Sequence, residues 1–467
     1  MYNFQTFCAL MNKCLKYLFV FLIPVFLLVN PAYPADTLEL GEFTKDDRVL
    51  VLAPHPDDEA IACSGMIQRA LKAGAKVQVA CYTNGDNNEF AFIVYEKRIT
   101  FKKGEFLHMG EVRRKETIAG MESLGLGPEN VKFMGYPDFG TMEIMTKYWQ
   151  TKVPFRSMLT RITKVSYPES LSIGAPYVGE SILEDLKTIL RAFRPTKVFV
   201  SHPADSNRDH QALYLFSRVA LWDLEGDIDS PGVYPYIVHV AGWPRPRGHH
   251  LNLELHPPNE LTGMRWTRLD LTPEEIENKQ KVISFHKSQI EYNPPYLFTF
   301  ARKNELYGDL PLILVSKGPA GAINWKSTEI KRTPVNAGPE NRDSKNNDTP
   351  LVSYACEDNF LLIRLALRNK ISKNVGVFIN LLGYNHNKNF SRMPKLNITI
   401  GLLGMRIKDK KAVLFIRQAK VSYEGRNLIV KIPLSSLGNP EYIMARVKRR
   451  LFRFPLDEGA WRIVKLE

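Results

Sequence analysis

The chain reads as an α/β protein followed by a β-rich C-terminal region. Three observations lead there. Between residues 47 and 310, short β-branched runs alternate with helix-length amphipathic stretches, which predicts a parallel sheet with helices on both faces. Two of those runs end in clusters of histidine and aspartate. Beyond residue 350 helical periodicity fades and short β-prone runs take over.

Taken in order, residues 49–52 (Val-Leu-Val-Leu) predict a buried strand. Residues 59–73 predict a helix with Ile67, Ala70 and Leu71 on one side and Gly74 as its stop. A second strand follows over 76–82, then a helix over 113–124 and a strand over 131–134. Residues 181–191 carry Ile182, Leu183, Leu186, Ile189 and Leu190 at helical spacing, and Pro195 separates that helix from a strand over 197–200. In parallel sheets ligands bind outside the carboxyl ends of the strands. The clusters after residues 52 and 200 both fall at that edge.

Residues 331–350 are rich in Asn, Pro and charge, and predict a linker. The β-prone runs after it (360–367, 375–382, 396–400, 412–416, 428–432 and 443–447) predict a β-sandwich-like domain. The expected organisation is a leader over 1–35, a catalytic domain over 36–330, the linker, and a β-rich accessory domain over 351–467. A carbohydrate-binding role for that last domain would rest on analogy alone.

The leader follows from Lys13 and Lys16 ahead of an uncharged stretch, residues 17–29, broken only by Pro24 and followed by Pro31-Ala32-Tyr33-Pro34-Ala35. A basic start, an apolar core of ~7–15 residues and small residues after it describe a secretory signal. The run is short of the ~20 residues that span a bilayer. We therefore expect a periplasmic or extracellular protein, cleaved near Ala35. An uncleaved membrane anchor is the alternative, because Tyr33 suits a cleavage site poorly.

A net charge of +14 points such a protein toward anionic envelope polymers or lipid surfaces rather than nucleic acid. The bland alternative is solvated faces, and the run Arg446-Val447-Lys448-Arg449-Arg450 reads as one. Of the five cysteines, Cys8 and Cys14 lie in the leader. Cys63, Cys81 and Cys356 are too few and too scattered for a disulfide framework or a cysteine-rich zinc site.

The chemistry concentrates in Ala53-Pro54-His55-Pro56-Asp57-Asp58-Glu59 and in Ser201-His202-Pro203-Ala204-Asp205-Ser206-Asn207-Arg208-Asp209-His210. Adjacent carboxylates repel and are costly to bury without compensation, and a divalent cation is the simplest compensation. Zinc in hydrolases keeps three protein ligands and one open position. His55, Asp58 and His210 supply such a set. Asp57, beside it, is placed to take a proton from metal-held water as that water attacks a carbonyl. Asp205 and Asp209 would hold a ligand or a catalytic imidazole in one tautomer. Each cluster alone could be a helix N-terminus whose acids complement the dipole. Two such clusters at one sheet edge favour a metal.

These residues resemble the His-Pro-Asp-Asp-Glu signature of the PIG-L/LmbE-like zinc deacetylases. The resemblance continues through Thr83-Asn84-Gly85-Asp86, Arg113-Arg114-Lys115-Glu116, Gly135-Tyr136-Pro137-Asp138 and residues 202–210, and covers about 47–310. It implies a Rossmann-like fold and removal of acetyl groups from N-acetylated sugars. It places the metal on His55, Asp58 and His210, the base on Asp57, and a substrate contact on Arg113, whose alternative is an exposed ion pair. Zinc is the implied ion, although two histidines and a carboxylate also suit iron(II). The chain departs from the family at Asn207, where many relatives carry a histidine that stabilises the oxyanion. An amide can donate there but cannot act as an acid. His239 is therefore the candidate acid, with a packed strand histidine as its alternative, and His202 is expected behind the ligands.

The expected activity is deacetylation of an N-acetylated sugar or glycan. The rivals are a metal-dependent amidase or esterase on another envelope or small-molecule substrate, and a non-catalytic glycan-binding protein. No nucleic-acid partner is expected, and membrane contact only through an uncleaved anchor.

Overall fold

The computed structural model describes residues 37–100, 102–150, 152–261, 263–319, 323, 325–328, 330–331, 350–367, 375–452 and 454–467. The predicted leader and residues 332–349 of the predicted linker lie outside the described residues.

The first sheet contains β1 (Leu38–Glu39), β2 (Arg48–Ala53), β3 (Lys76–Thr83), β4 (Val131–Tyr136), β5 (Lys197–Ser201), β6 (Gly232–Tyr236), β7 (Arg265–Asp270) and β8 (Asn304–Asp309). Their order is β1-β7-β8-β6-β5-β2-β3-β4. Strands β4, β3, β2, β5 and β6 run parallel. Strand β8 is antiparallel to both β6 and β7, so the sheet is mixed rather than wholly parallel. The reason lies in the connection between β7 and β8. Asp270 pairs with Asn304, so the helices between these strands leave and return at one sheet edge, and the strands close as a long hairpin. Alternating periodicity does not encode that choice.

The helices are α1 (Asp58–Lys72), α2 (Glu89–Glu96), α3 (Lys103–Glu122), α4 (Thr141–Lys147), α5 (Gly179–Phe193), α6 (Arg208–Asp223), α7 (Pro273–Ser284), α8 (Lys287–Ile290) and α9 (Pro294–Phe298). Strand β2 shows why they cover both faces. Its Val49, Val51 and Ala53 join a core with Met66, Ile67 and Ala70 of α1 and Val282 and Ile283 of α7. The intervening Leu50 and Leu52 join a different core with Ile182 and Leu186 of α5 and Leu215 and Phe216 of α6. A strand buried on both faces must be apolar throughout, as this one is. Helix α3 starts ten residues before its predicted start. Its early turns are held by Phe106 and Met109 against Ala91 and Phe92, a contact that lies off the helix itself.

The C-terminal region holds β9 (Ile313–Val315), β10 (Lys317–Gly318), β11 (Ile330–Lys331), β12 (Leu351–Glu357), β13 (Phe360–Ala366), β14 (Val375–Tyr384), β15 (Lys395–Gly401), β16 (Gly404–Asp409), β17 (Ala412–Leu414), β18 (Lys420–Glu424), β19 (Asn427–Pro433), β20 (Tyr442–Leu451), β21 (Phe454–Glu458) and β22 (Arg462–Leu466). They form two sheets, β10-β12-β13-β19-β18 with β11 on β12, and β17-β16-β15-β14-β20-β22-β9 with β21 on β20. Alternate residues of both (Ile363 and Val430 from one, Ile379, Ile398 and Val464 from the other) share one apolar core. Strands β9, β10 and β11 pair with β22 and β12, so the sheet-rich region recruits chain from before residue 331.

This region is not a tethered module. Residues 36–467 form one compact unit. Tyr384, Phe390, Met393, Met444 and Trp461 enter the same core as Trp149, Phe216 and Trp222. Trp149 meets Phe390 edge-on at 5.0 Å, and Trp222 stacks on Tyr442 at 4.6 Å. The Trp461 amide also donates to Pro203 O at 3.3 Å, within the second His/Asp cluster. Because Trp461 is 1% exposed, Trp461→Ala should cost ~3–5 kcal/mol. Urea unfolding should show one transition at a lower midpoint by both circular dichroism and tryptophan fluorescence. Two separated transitions would contradict a shared core.

Candidate metal centre

The parallel strands run outward from β2 to β4, and the chain then returns to place β5 on the other side of β2. The strand order therefore reverses between β2 and β5, the position where ligands bind in open α/β sheets. Both His/Asp clusters leave the sheet there.

After β2, the Thr83 amide and hydroxyl donate to Pro54 O at 3.1 and 3.0 Å, fixing the turn against β3. Asp57 then adopts φ 145° and ψ −26°, a strained conformation for a residue with a Cβ. It precedes α1 but makes no side-chain cap bond to that helix. Asp58 turns back instead and accepts the His55 amide at 3.0 Å. A simple helix-capping role for these acids does not describe this geometry.

His55, Asp58 and His210 converge. One ligand-type atom of each lies within 4.8 Å of the others, and all three side chains are buried. Asp58 Oδ2 is 3.3 Å from His55 Nδ1 and 3.2 Å from His210 Nε2. Neither ring nitrogen of His210 has a partner in hydrogen-bonding alignment, nor has His55 Nε2. Buried, orphaned imidazole nitrogens around one carboxylate are a donor set suited to a divalent cation such as zinc or iron(II). The electrostatics agree. Burial pulls the His210 pKa down, but the Asp205 and Asp58 carboxylates more than offset this and lift it to about 9. The field that draws protons onto these imidazoles also draws a cation.

Asp57 lies beside this set. Its carboxylate accepts from Arg113 Nη2 at 3.1 Å. Burial raises its pKa to about 7, against the pull of the Arg113 charge and with the push of Asp58. Arg113 is itself 3% exposed and also donates to Gly85 O at 3.0 Å and to Pro56 O at 2.8 Å. It is neither an exposed ion pair nor an open substrate contact. It clamps the loop and orients Asp57.

Asp205 backs His210, 3.2 Å from its Nδ1, while accepting the amides of Val238 and His239 at 3.0 and 2.9 Å. Asp209 lies 3.5 Å from His55 Nε2 but mainly holds the loop after β4, accepting from Phe139 N at 2.6 Å and from Thr141 N and Oγ1. Asn207 caps α6. Its carbonyl oxygen accepts the Asp209 amide at 2.8 Å, and it does not line the adjoining cavity. That bond commits its side-chain oxygen to the helix. His202 is fully buried, accepts the Ala204 amide at 2.9 Å and belongs to none of the ligand groups. Burial lowers its pKa to about 3. His239 does reach the site, with its ring 4.7 Å from that of His210. Burial lowers its pKa to about 4, so it is neutral near pH 7.

Sequence reasoning missed three features. Asp138 lies 3.1 Å from His55 Nε2, and its other oxygen accepts Asn87 N at 3.1 Å. Its position just past β4 was the available signal. Tyr296 stacks on His239, with its hydroxyl 2.9 Å from Nδ1 and 3.1 Å from Val238 O. No local pattern marks Tyr296. A cavity of about 390 Å³ opens beside the centre, lined by Asp57, His239, Tyr296, Tyr292, Arg247, Asn88, Gln289 and Asn293 among others. It falls in the range of small-molecule sites.

Residues 50–221 match the family profile described as PIG-L, GlcNAc-PI de-N-acetylase. The resemblance read from the motifs is thus borne out over that segment. A curated relative, a glucosamine-6-phosphate deaminase-like protein of Bacteroides thetaiotaomicron, is 23% identical over 276 residues, covering 53% of this chain and 36% of that protein. The match thus spans about a third of the relative's length. Among solved structures, the N,N'-diacetylchitobiose deacetylase of Pyrococcus horikoshii is 22% identical, with 64% of this chain and 86% of that chain covered and a TM-score of 0.34. A deacetylase of the teicoplanin biosynthesis pathway is 17% identical, with 54% and 89% covered and a TM-score of 0.36.

Gly85 is the position most sensitive to a small change. Its φ is +64°, and an added Cβ would lie 1.8 Å from Arg113 Nη1. Gly85→Ala should therefore displace the guanidinium, cost at least ~1–3 kcal/mol in thermal unfolding and lower turnover by releasing Asp57. Wild-type stability and rate together would refute the clamp.

Proposed function

We propose that this chain is a metal-dependent hydrolase that removes the acetyl group from an N-acetylated amino sugar or its conjugate. In this reading a Rossmann-like sheet carries the site, and the N-terminal segment directs export. The observation that carries the proposal is the convergence of His55, Asp58 and His210, with Asp57 beside them on the wall of an open cavity. The family match over residues 50–221 supports the choice of substrate class.

His55, Asp58 and His210 would hold the ion, which when bound supplies a Lewis acid that polarises a carbonyl and acidifies water. The remaining work falls to the chain. Asp57, held by Arg113, takes the proton of the water attacking the acetamide carbon. Its pKa of about 7 suits a group that accepts this proton and then passes it to the departing amine. His239 is a neutral imidazole, which makes it a poor acid. The Tyr296 hydroxyl donates to Val238 O and lies 2.9 Å from Nδ1, which fixes the ring at the edge of the cavity. His239, on the cavity wall, positions the substrate beside the reacting carbonyl. Asp205 keeps His210 oriented.

The test is acetate release from N-acetylglucosamine conjugates, coupled to metal analysis. Asp57→Asn should lower kcat by ~10²–10⁴ while bound zinc per chain is retained. His210→Ala should lose both metal and turnover. Chelation should abolish activity, and zinc or iron(II) should restore it. Undiminished turnover in Asp57→Asn would overturn the proposal, and release of other acyl groups without acetate would redirect it to a different amide or ester.

A further inference from the structure

We propose that one end of the C-terminal sandwich is a docking surface for an anionic lipid bilayer. The argument is independent of the metal centre. Gly401 pairs with Gly404, so Leu402 and Leu403 form a two-residue tip between β15 and β16. Leu451 pairs with Phe454, which places Phe452 at the tip between β20 and β21. Strand β14 lies between these hairpins, with Val377 opposite Ile400 on one side and Val375 opposite Leu451 on the other. Both tips therefore leave the sheet at the same end. Strand β17 points that way too. Its Leu414 lies opposite Ile407, and Phe415 follows in the direction of the Leu402–Leu403 tip.

The side chains gathered there are unusually open. Leu403 is 101% exposed, Phe415 94%, Phe452 74% and Leu402 72%. Four apolar side chains this open at one end of one sheet point to an interaction site. The charges around it choose the partner. Arg406 on β16, Arg417 just after β17 and Arg450 on β20 flank the tips. Among the described residues none of the three has a carboxylate at ion-pair distance, and Arg450 lies over the Phe378 ring at 5.4 Å. The rest of the basic run is already spent. Arg446 and Lys448 pair with Glu458, and Arg449 pairs with Asp457 at 2.5 Å. Apolar tips that enter the acyl boundary, ringed by free guanidinium groups, match a surface of anionic headgroups.

The test places an environment-sensitive nitrobenzoxadiazole label on Leu403→Cys in the full chain, with Cys8 and Cys14 replaced by Ser. Cys63, Cys81 and Cys356 are buried. A second label on Asn387→Cys, at the opposite end of β14, is the control. Vesicles of phosphatidylcholine and phosphatidylglycerol should brighten and blue-shift the label at 403 and leave the label at 387 unchanged. Arg406→Glu and Arg450→Glu should each weaken lipid partition at least roughly five-fold. The N-terminal segment is common to all these proteins, and the label reports only its own surroundings. The proposal falls if the label at 403 stays silent at saturating vesicles, or if 387 responds as strongly. It also falls if phosphatidylcholine alone gives the full response, or if the label brightens with protein concentration in the absence of lipid, which would make a second copy the occupant.

Discussion

Negative charge buried at the carboxyl edge of β2 and β5 is what the surrounding architecture has to hold in place. Asp58, Asp138, Asp205 and Asp209 are each at most 3% exposed, and Asp57 stands beside them. Carboxylates at this density repel one another and lose hydration, so each needs a donor. The fold supplies donors chiefly from the backbone. Asp205 collects three amide bonds, Asp209 ties down the loop after β4, and Asp58 accepts the amide of His55. What remains uncompensated is focused on two imidazoles, and that residue of negative potential gives the site its chemistry.

The pairings also divide the acids by task. Asp205 and Asp209, which collect the amide donors, hold the surrounding loops in place. Asp57 is the exception, because its one strong partner is a charged side chain that must itself be kept in position. Arg113 reaches it from α3, passing a glycine whose missing side chain leaves the room. The backbone of Asp57 is held by its own helix, through Glu59, Ala60 and Ile61, while its carboxylate is held from α3.

Much of this was legible in the sequence, for reasons that can be named. Buried parallel strands are apolar on both faces, so residues 49–52 and 197–200 announce themselves. Their carboxyl ends locate the edge where chemistry collects. Local patterns also revealed the sandwich, because alternate residues of 360–366 and 428–432 face one core. Long-range pairings stayed hidden. The antiparallel return of β8, the recruitment of residues 313–331 into the later sheets and the arrival of Tyr296 beside His239 depend on tertiary packing, which leaves no local period. Arg113 showed a related limit. The family resemblance suggested a substrate contact for it, while its burial and its bonds to Gly85 O and Pro56 O show that it serves the protein's own loop.

Trp461 donates its amide to Pro203, a few residues ahead of Asp205 and His210. One segment of the centre is therefore propped by chain that the ribosome makes long after the segment itself. This prop cannot form until residue 461 has emerged. A partly made chain carries the acids and imidazoles without their full support, and complete assembly of the centre coincides with completion of the sandwich.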